Sequence, residues 1–383
     1  MHYDFDQIIN RRDSDSNKWR LYDEDVLPLW VADMDFVAPD EVVRALQERA
    51  AHGLYGYARA PKDLPQVIQE RLERLYGWRV QTSEIMFLPG VVSGFNLTSQ
   101  AVCEPGDEIL VEPPIYPPML SAPKNAACEC VGVPLVENGE RYERDLGAFE
   151  RAITERSSLF LLCNPHNPTG RVFEKDELER LAEVCLRHDV VICSDEIHCD
   201  IVLKGQRHVP IAAISPEIAA QTVTIFAPSK TFNVPGLSCS VGVVQNPDLL
   251  DRLKKTGAGI VPHVNLMGYT AALAAFRHGQ QWLDQLLVYV EANCDYMLEY
   301  LAAHMPAIKC YKPEGTFLAW LDCRQAGIPG NPHKFFLEQA RVAVNDGLVF
   351  GQDGEGFVRL NFACPRATLT EALERMRGAL EAL

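Results

Sequence analysis

Residues 223–237, VTIFAPSKTFNVPGL, carry the reading on which the fold turns. VTIF is a β-rich apolar run of strand length, and Ala-Pro-Ser breaks it. Lys230 therefore stands just past the carboxyl end of a strand. In sheets whose strands alternate with helices, ligands bind beyond those ends. A lysine desolvated there shifts its pKa readily and can act as a Schiff-base amine. Taken alone, Lys230 reads more readily as a solvated loop residue, because most lysines are exposed. Its neighbours along the chain reverse that reading.

Outward from this stretch, similar runs recur and end in turn chemistry. They are EIMFLPG at 84–90, DEILVEPP at 107–114, LFLLCNP at 159–165, VVICSDE at 190–196 and CSVGVVQNP at 239–247. Helical patterns lie between several of them. In 173–189, Leu178, Leu181, Ala182 and Cys185 form one apolar stripe at i, i+3, i+4 and i+7. The alternation predicts an α/β fold with a mostly parallel sheet covered on both faces. From about residue 285 the texture changes to a long helical pattern, then EGTFLAWLD at 314–322, a helix, GFVRLNFA at 356–363 and a closing helix. This predicts a smaller α+β unit, joined by the N-terminal segment, whose helix DEVVRALQERAAHG lies at 40–53.

Composition is that of a soluble globular protein: 383 residues, 47% hydrophobic and 23% charged. The net charge is −16, and no basic run suits nucleic acid or a membrane surface. No eighteen apolar residues run together, and the first twenty lack the apolar core of a signal peptide. Among the twelve cysteines no CxxC pair occurs; Cys163, Cys193 and Cys239 sit inside apolar runs as small hydrophobes. A reduced, cytoplasmic setting is expected.

Other residues at run ends carry chemical potential. Asp195 and Glu196 close VVICSDE, and a carboxylate there can keep a pyridinium nitrogen protonated, as pyridoxal 5′-phosphate (PLP) requires. The rival is a metal site of Asp195, Glu196, His198 and Cys199, but neighbours along an extended chain point to opposite faces. In NPHNPTG at 164–170 the prolines and glycine force a turn, and Asn167 offers an amide to a phenolate oxygen; a plain helix-leading loop is the alternative. Gly90, Val91 and Val92 precede a helical pattern, where exposed amides bind phosphate. No GxGxxG or P-loop is present. Tyr116, in EPPIYPP, can stack on a planar group or simply pack its loop. Arg359, in FVRLNFACPR, suits an α-carboxylate, with Arg366 as competitor and a structural ion pair as the bland reading of either.

In order, GVVSGFN, PPIYPP, NPHNPTG, SDEIHCD, APSKTFNVPGL and RLNFACPR resemble the fold type I PLP enzymes. More narrowly they are similar to the MalY/PatB-type cystathionine β-lyases (C–S lyases) of the class I/II aminotransferase group. WVADMDF at 30–36 and LYGYARAP at 54–61 strengthen the narrower likeness, which spans Trp30 to Arg366. The resemblance implies a large PLP domain at 46–285 with a mostly parallel seven-stranded sheet, a small domain at 286–383, and residues 1–45 joining the small one. It implies Lys230 as the PLP Schiff-base lysine, Asp195 on the pyridine nitrogen, Asn167 on the 3′-oxygen and Tyr116 stacked on the ring. Val91 and Val92 amides with Ser229 would hold the phosphate, and Arg359 the substrate carboxylate. Tyr57 would reach the phosphate from the other subunit of a homodimer whose sites lie at the interface. Two positions depart from the wider group: His198 stands where many members have tyrosine, and Ser238 where many have a phosphate-neutralising arginine. His198 is retained among the cofactor residues, and the DEIH form fits the C–S lyases.

The implied reaction is α,β-elimination of L-cystathionine or a related cysteine S-conjugate to pyruvate, ammonia and a thiol. Lys230 would be the Cα base, and Lys230 or Tyr116 the acid for the thiolate. An aminotransferase, which uses the same residues, is the alternative. A protein of this fold acting by binding a regulator is a more distant one.

Overall fold

The computed structural model describes residues 2–383. The six apolar runs become strands β1 (Ile85–Leu88), β2 (Glu108–Val111), β4 (Ser157–Cys163), β5 (Val191–Asp195), β6 (Thr222–Phe226) and β7 (Ser240–Val243). A further edge strand, β3 (Glu129–Gly132), was not expected from sequence, because ECVG is largely exposed and lacks an apolar run. The seven form one sheet in the order β1-β7-β6-β5-β4-β2-β3. Only β7 runs antiparallel to its neighbours. β2, β4, β5 and β6 are buried almost throughout, as a sheet covered on both faces demands.

The topology sets where the site forms. The parallel strands all exit at one edge. Because β7 is reversed, its incoming end, at Ser238 and Cys239, lies at that same edge, with Ser240 paired to Leu88. Helix α2 (Val91–Val102) follows β1 after a two-residue turn, so its free N-terminal amides open there too. Gly94 on this helix packs close on the sheet; a Cβ would meet Ile225 at 2.6 Å. Helix α3 (Lys175–Arg187) buries the expected stripe and begins in a reciprocal capping box of Glu174 and Glu177.

The second unit carries a three-stranded antiparallel sheet of β8 (Leu318–Asp322), β9 (Asn345–Asp346) and β10 (Phe357–Asn361), ordered β8-β10-β9. Between β8 and β9 the expected helix is short: one turn at Pro332–Phe335 and a wider one at Phe336–Ala340. The chain closes with α6 (Arg366–Glu381). The expected divisions at 45 and 285 fall inside helices α1 (Asp40–Ala51) and α5 (Gln280–His304). Residues 27–28 pair with 342–343, and Asn361 N–H donates to Leu29 O at 2.8 Å, so the N-terminal stretch lies along the second unit. All twelve cysteines are free, and no helix among the described residues is long and apolar enough to cross a membrane.

Candidate active site

A cavity of about 560 Å3 opens at the sheet's exit edge. Its walls include Val91, Val92, Tyr116, Asn167, Asp195, His198, Ser229, Lys230 and Arg359. These are all the expected site residues save one: Tyr57 is fully exposed and does not line its own chain's cavity.

Lys230 sits in a single helical turn, Pro228–Thr231, directly after β6. Its Nζ donates to Ala32 O at 2.6 Å. Burial lowers its pKa to about 8; Arg359 adds to the effect, and Asp33 and Asp195 oppose it. Asp195, the last residue of β5, is 3% exposed, and burial raises its carboxyl to about 7 despite the hydrogen bond from Ile197 N–H (3.0 Å). Glu196 is engaged elsewhere: it accepts from Ser194 Oγ (2.9 Å) and Ile211 N (3.2 Å) and pairs with His208 at 2.8 Å. That separation of neighbours removes the basis for a metal site at Asp195 and Glu196.

His198 is buried, with its ring edge-on to Phe317 at 5.7 Å. Burial, then Lys230 and Arg359, hold its pKa well below the usual histidine value, so the ring is neutral. Its Nδ1 is buried with no hydrogen-bond partner among the described residues. Tyr116 caps the helix Pro117–Asn125; burial and then Asp195 raise its pKa. Val91 and Val92 are the first residues of α2, with Ser229 on the same cavity.

Arg359, on β10, is 5% exposed, and burial lowers its pKa to about 10. Its Nη1 donates to Asn167 Oδ1 at 2.9 Å, and its Nη2 to Trp30 O (2.9 Å) and Asn345 Oδ1 (2.5 Å). The guanidinium also lies over the Phe350 ring at 4.9 Å. Arg366, the competitor, is removed from the cavity: its Nε donates to Asn293 at 2.7 Å and it covers Tyr296.

Sequence reasoning passed over Asn345, Asn361 and Asn233. Asn361 Nδ2 donates to Val31 O and Asp33 O, both at 2.7 Å, and Asn233 grips Met34 and Phe36. Asn361 and Asn233 thereby hold residues 31–36 in place, and Trp30, Val31 and Ala32 of this segment line the cavity. Asn233 and Asn361 lie inside APSKTFNVPGL and RLNFACPR, but neither motif gave them a role, and Asn345 lies in none.

The set fits PLP. A desolvated amine, a buried carboxyl, an amide and helix-end N–H groups line one cavity, matching its aldehyde, pyridine nitrogen, 3′-oxygen and phosphate in chemistry.

The family model described as aminotransferase class I and II matches residues 24–376. The chain is 38% identical to cystathionine beta-lyase PatB of Bacillus subtilis, over 98% of this chain and 99% of PatB. It is 30% identical to protein MalY of Escherichia coli over 100% of both chains. Among solved structures, cystalysin from Treponema denticola, which contains PLP, matches with a TM-score of 0.96 at 31% identity over 100% of both chains. With this fold, this cavity and these relatives, the chain belongs to the class I and II aminotransferase family, as a PLP-dependent carbon–sulfur β-lyase of the PatB and MalY group.

Proposed function

We propose that the protein cleaves L-cystathionine or a related cysteine S-conjugate by α,β-elimination, releasing pyruvate, ammonia and a thiol. The observation that carries the reading is the Lys230 amine, with its pKa lowered to about 8, sharing a cavity with Asp195 and Arg359. The name of PatB, a cystathionine beta-lyase, supports the substrate class.

PLP, when bound, supplies the electron sink for charge developing at the substrate Cα. Lys230 would tether it through Nζ, and Asp195 would keep the pyridine nitrogen protonated. Asn167 has its Oδ1 engaged by Arg359, which leaves its NH2 for the 3′-oxygen. Tyr116 would stack on the ring, and neutral His198 lines the same cavity. The Val91 and Val92 amides and the Ser229 hydroxyl would hold the phosphate. Arg359 receives the substrate carboxylate in its planar fork. Once the substrate amine has taken the place of the lysine on the cofactor, the freed Lys230 Nζ would accept the Cα proton as the Cβ–S bond breaks, and Lys230 or Tyr116 would protonate the departing sulfur.

Tyr57 supports a homodimer in which this exposed side chain reaches the phosphate of the other subunit's site. A cytoplasmic location accords with twelve free thiols. The pairing of residues 27–28 with 342–343 supports a small domain that takes in the N-terminal segment, beside a large one holding the seven-stranded sheet. The deciding assay is pyruvate release from L-cystathionine by the PLP-loaded protein. No pyruvate from it or from other S-conjugates, with amino-group transfer to a keto acid instead, would refute the proposal in favour of an aminotransferase.

A further inference from the structure

Lys230 stands in a turn of four residues, Pro228–Thr231. Backbone bonds from Phe232 N–H to Pro228 O (2.9 Å) and from Val234 N–H to Ser229 O (3.0 Å) close it. So short a piece of helix does not hold its own shape in water. Above it the lysine stem carries four carbons and about 2 kcal/mol of rotamer freedom. Where the amine points is therefore set by what anchors the base of that stem.

The next residue supplies an anchor. Thr231 is fully buried and does not line the cavity. Its Oγ1 donates to Asp200 Oδ2 at 3.0 Å. Asp200 belongs to the turn that follows β5, two residues beyond His198. There Cys199 N–H donates to Glu196 O at 2.9 Å and Ile201 N–H to His198 O at 2.8 Å. β5 and β6 are neighbours in the sheet, so this one bond fastens the turn after Asp195 to the turn that bears Lys230.

Asp200 is itself held from behind. Its Oδ1 accepts from Arg71 Nη2 at 2.7 Å and from the Tyr76 hydroxyl at 3.3 Å, both on the helix Leu64–Tyr76. Arg71 Nη1 donates to Gln280 Oε1 at 3.0 Å. The guanidinium lies 5.8 Å from the ring centre of Phe232 and 5.7 Å from that of Phe276. The Arg71 and Asp200 side chains are only 4% and 5% exposed. A buried ion pair gains little stability over apolar side chains of the same volume, because both charges lose their water. What apolar side chains lack is a directional acceptor, and here the second carboxylate oxygen is turned on Thr231.

We propose that Asp200 is a positioning residue for Lys230. By fixing Thr231 it sets the direction from which the lysine amine meets the PLP aldehyde and, once freed, the substrate Cα proton. The proposal rests on Lys230 as the cofactor lysine and not on which reaction follows.

Stopped-flow mixing of the cofactor-free protein with PLP, read by the visible band, tests it together with kcat and KM of the PLP-loaded protein. Thr231→Val keeps the shape and removes the hydroxyl. It should slow the band and lower kcat about tenfold each, with KM within about twofold of wild type. Thr231→Ser keeps the hydroxyl and removes a buried methyl, so it should lose stability toward denaturant yet react at the wild-type rate. That split separates positioning from a merely structural role. If Thr231→Val does not fold, Thr231→Ala is judged by the same criteria. A wild-type band rate or kcat without the hydroxyl, or a serine variant as slow as the valine one, overturns the proposal. Borohydride reduction followed by peptide mapping reports separately whether PLP sits on Lys230, so failure of that reading is told apart from failure of this one.

Discussion

Lys230 and Asp195 are both driven toward neutrality by burial, and each shift has a testable sign. The Lys230 amine reacts with an aldehyde only when unprotonated. With its pKa near 8 rather than 10.5, PLP uptake by the cofactor-free protein should rise with pH and level off above about 8. Following the visible absorbance band checks this; a rate still climbing through pH 10 would contradict it. Asp195 holds its proton more tightly folded than unfolded, since its pKa moves from 3.8 to about 7. That contribution is full below about pH 4 and is lost as pH rises to 7. Asp195→Asn should therefore stabilise the cofactor-free protein at pH 8 by about 2–4 kcal/mol and leave it near wild type at pH 4, as read by denaturant unfolding. At Arg359, lysine keeps the charge but loses the fork that Asn167, Trp30 and Asn345 hold in place. Arg359→Lys should raise KM for the S-conjugate roughly 10–100-fold, with a smaller effect on kcat.

At the level of elements, the cavity depends on how closely helices approach the loops that line it. Helix α4 (Leu266–His278) is capped by Asn265, whose Nδ2 donates to Leu237 O at 2.8 Å. A Cβ on Gly268 would lie 2.4 Å from that same carbonyl oxygen, a backbone atom with little room to yield. Gly268→Ala should cost about 1–3 kcal/mol in unfolding free energy. It should also weaken PLP retention, because the displaced turn carries Pro235 and Ser238 on the cavity wall. Strands and helices with a continuous apolar signature were legible beforehand: β4 as LFLLC, α3 by its four-residue stripe. β3 was not, since an exposed edge strand has no face to bury. The short turns at 332–340 were read as a helix because local pattern does not report where a helix must stop to let the chain enter β9.

For the whole molecule, Tyr57 is the decisive residue, because its side chain is fully exposed in the single chain. If it completes the other subunit's site, the inactive variants Lys230→Ala and Tyr57→Ala should complement each other when unfolded together and refolded. A mixed dimer holds one site with both an intact lysine and an intact tyrosine. Activity should return to about a quarter of wild type under random pairing, and sedimentation should show a dimer. Two variants that stay inactive on mixing would place Tyr57 outside the site.

By itself the sequence pointed to the α/β class, and to Lys230 and most of the residues that share its cavity. Those signals are local: Asp195 ends a strand, Lys230 and Asn167 each follow one within a few residues, and strand ends in such sheets converge on ligands. Only the tertiary structure chose Arg359 over Arg366, since both lie in one short stretch and differ solely in what packs around them. It alone brought Asn345 onto the cavity and set Asn361 and Asn233 against the backbone of residues 31–36. The reason is physical: an amide side chain has no periodicity of its own, and its role is set by whichever distant backbone or side chain the fold carries within about 3 Å of it.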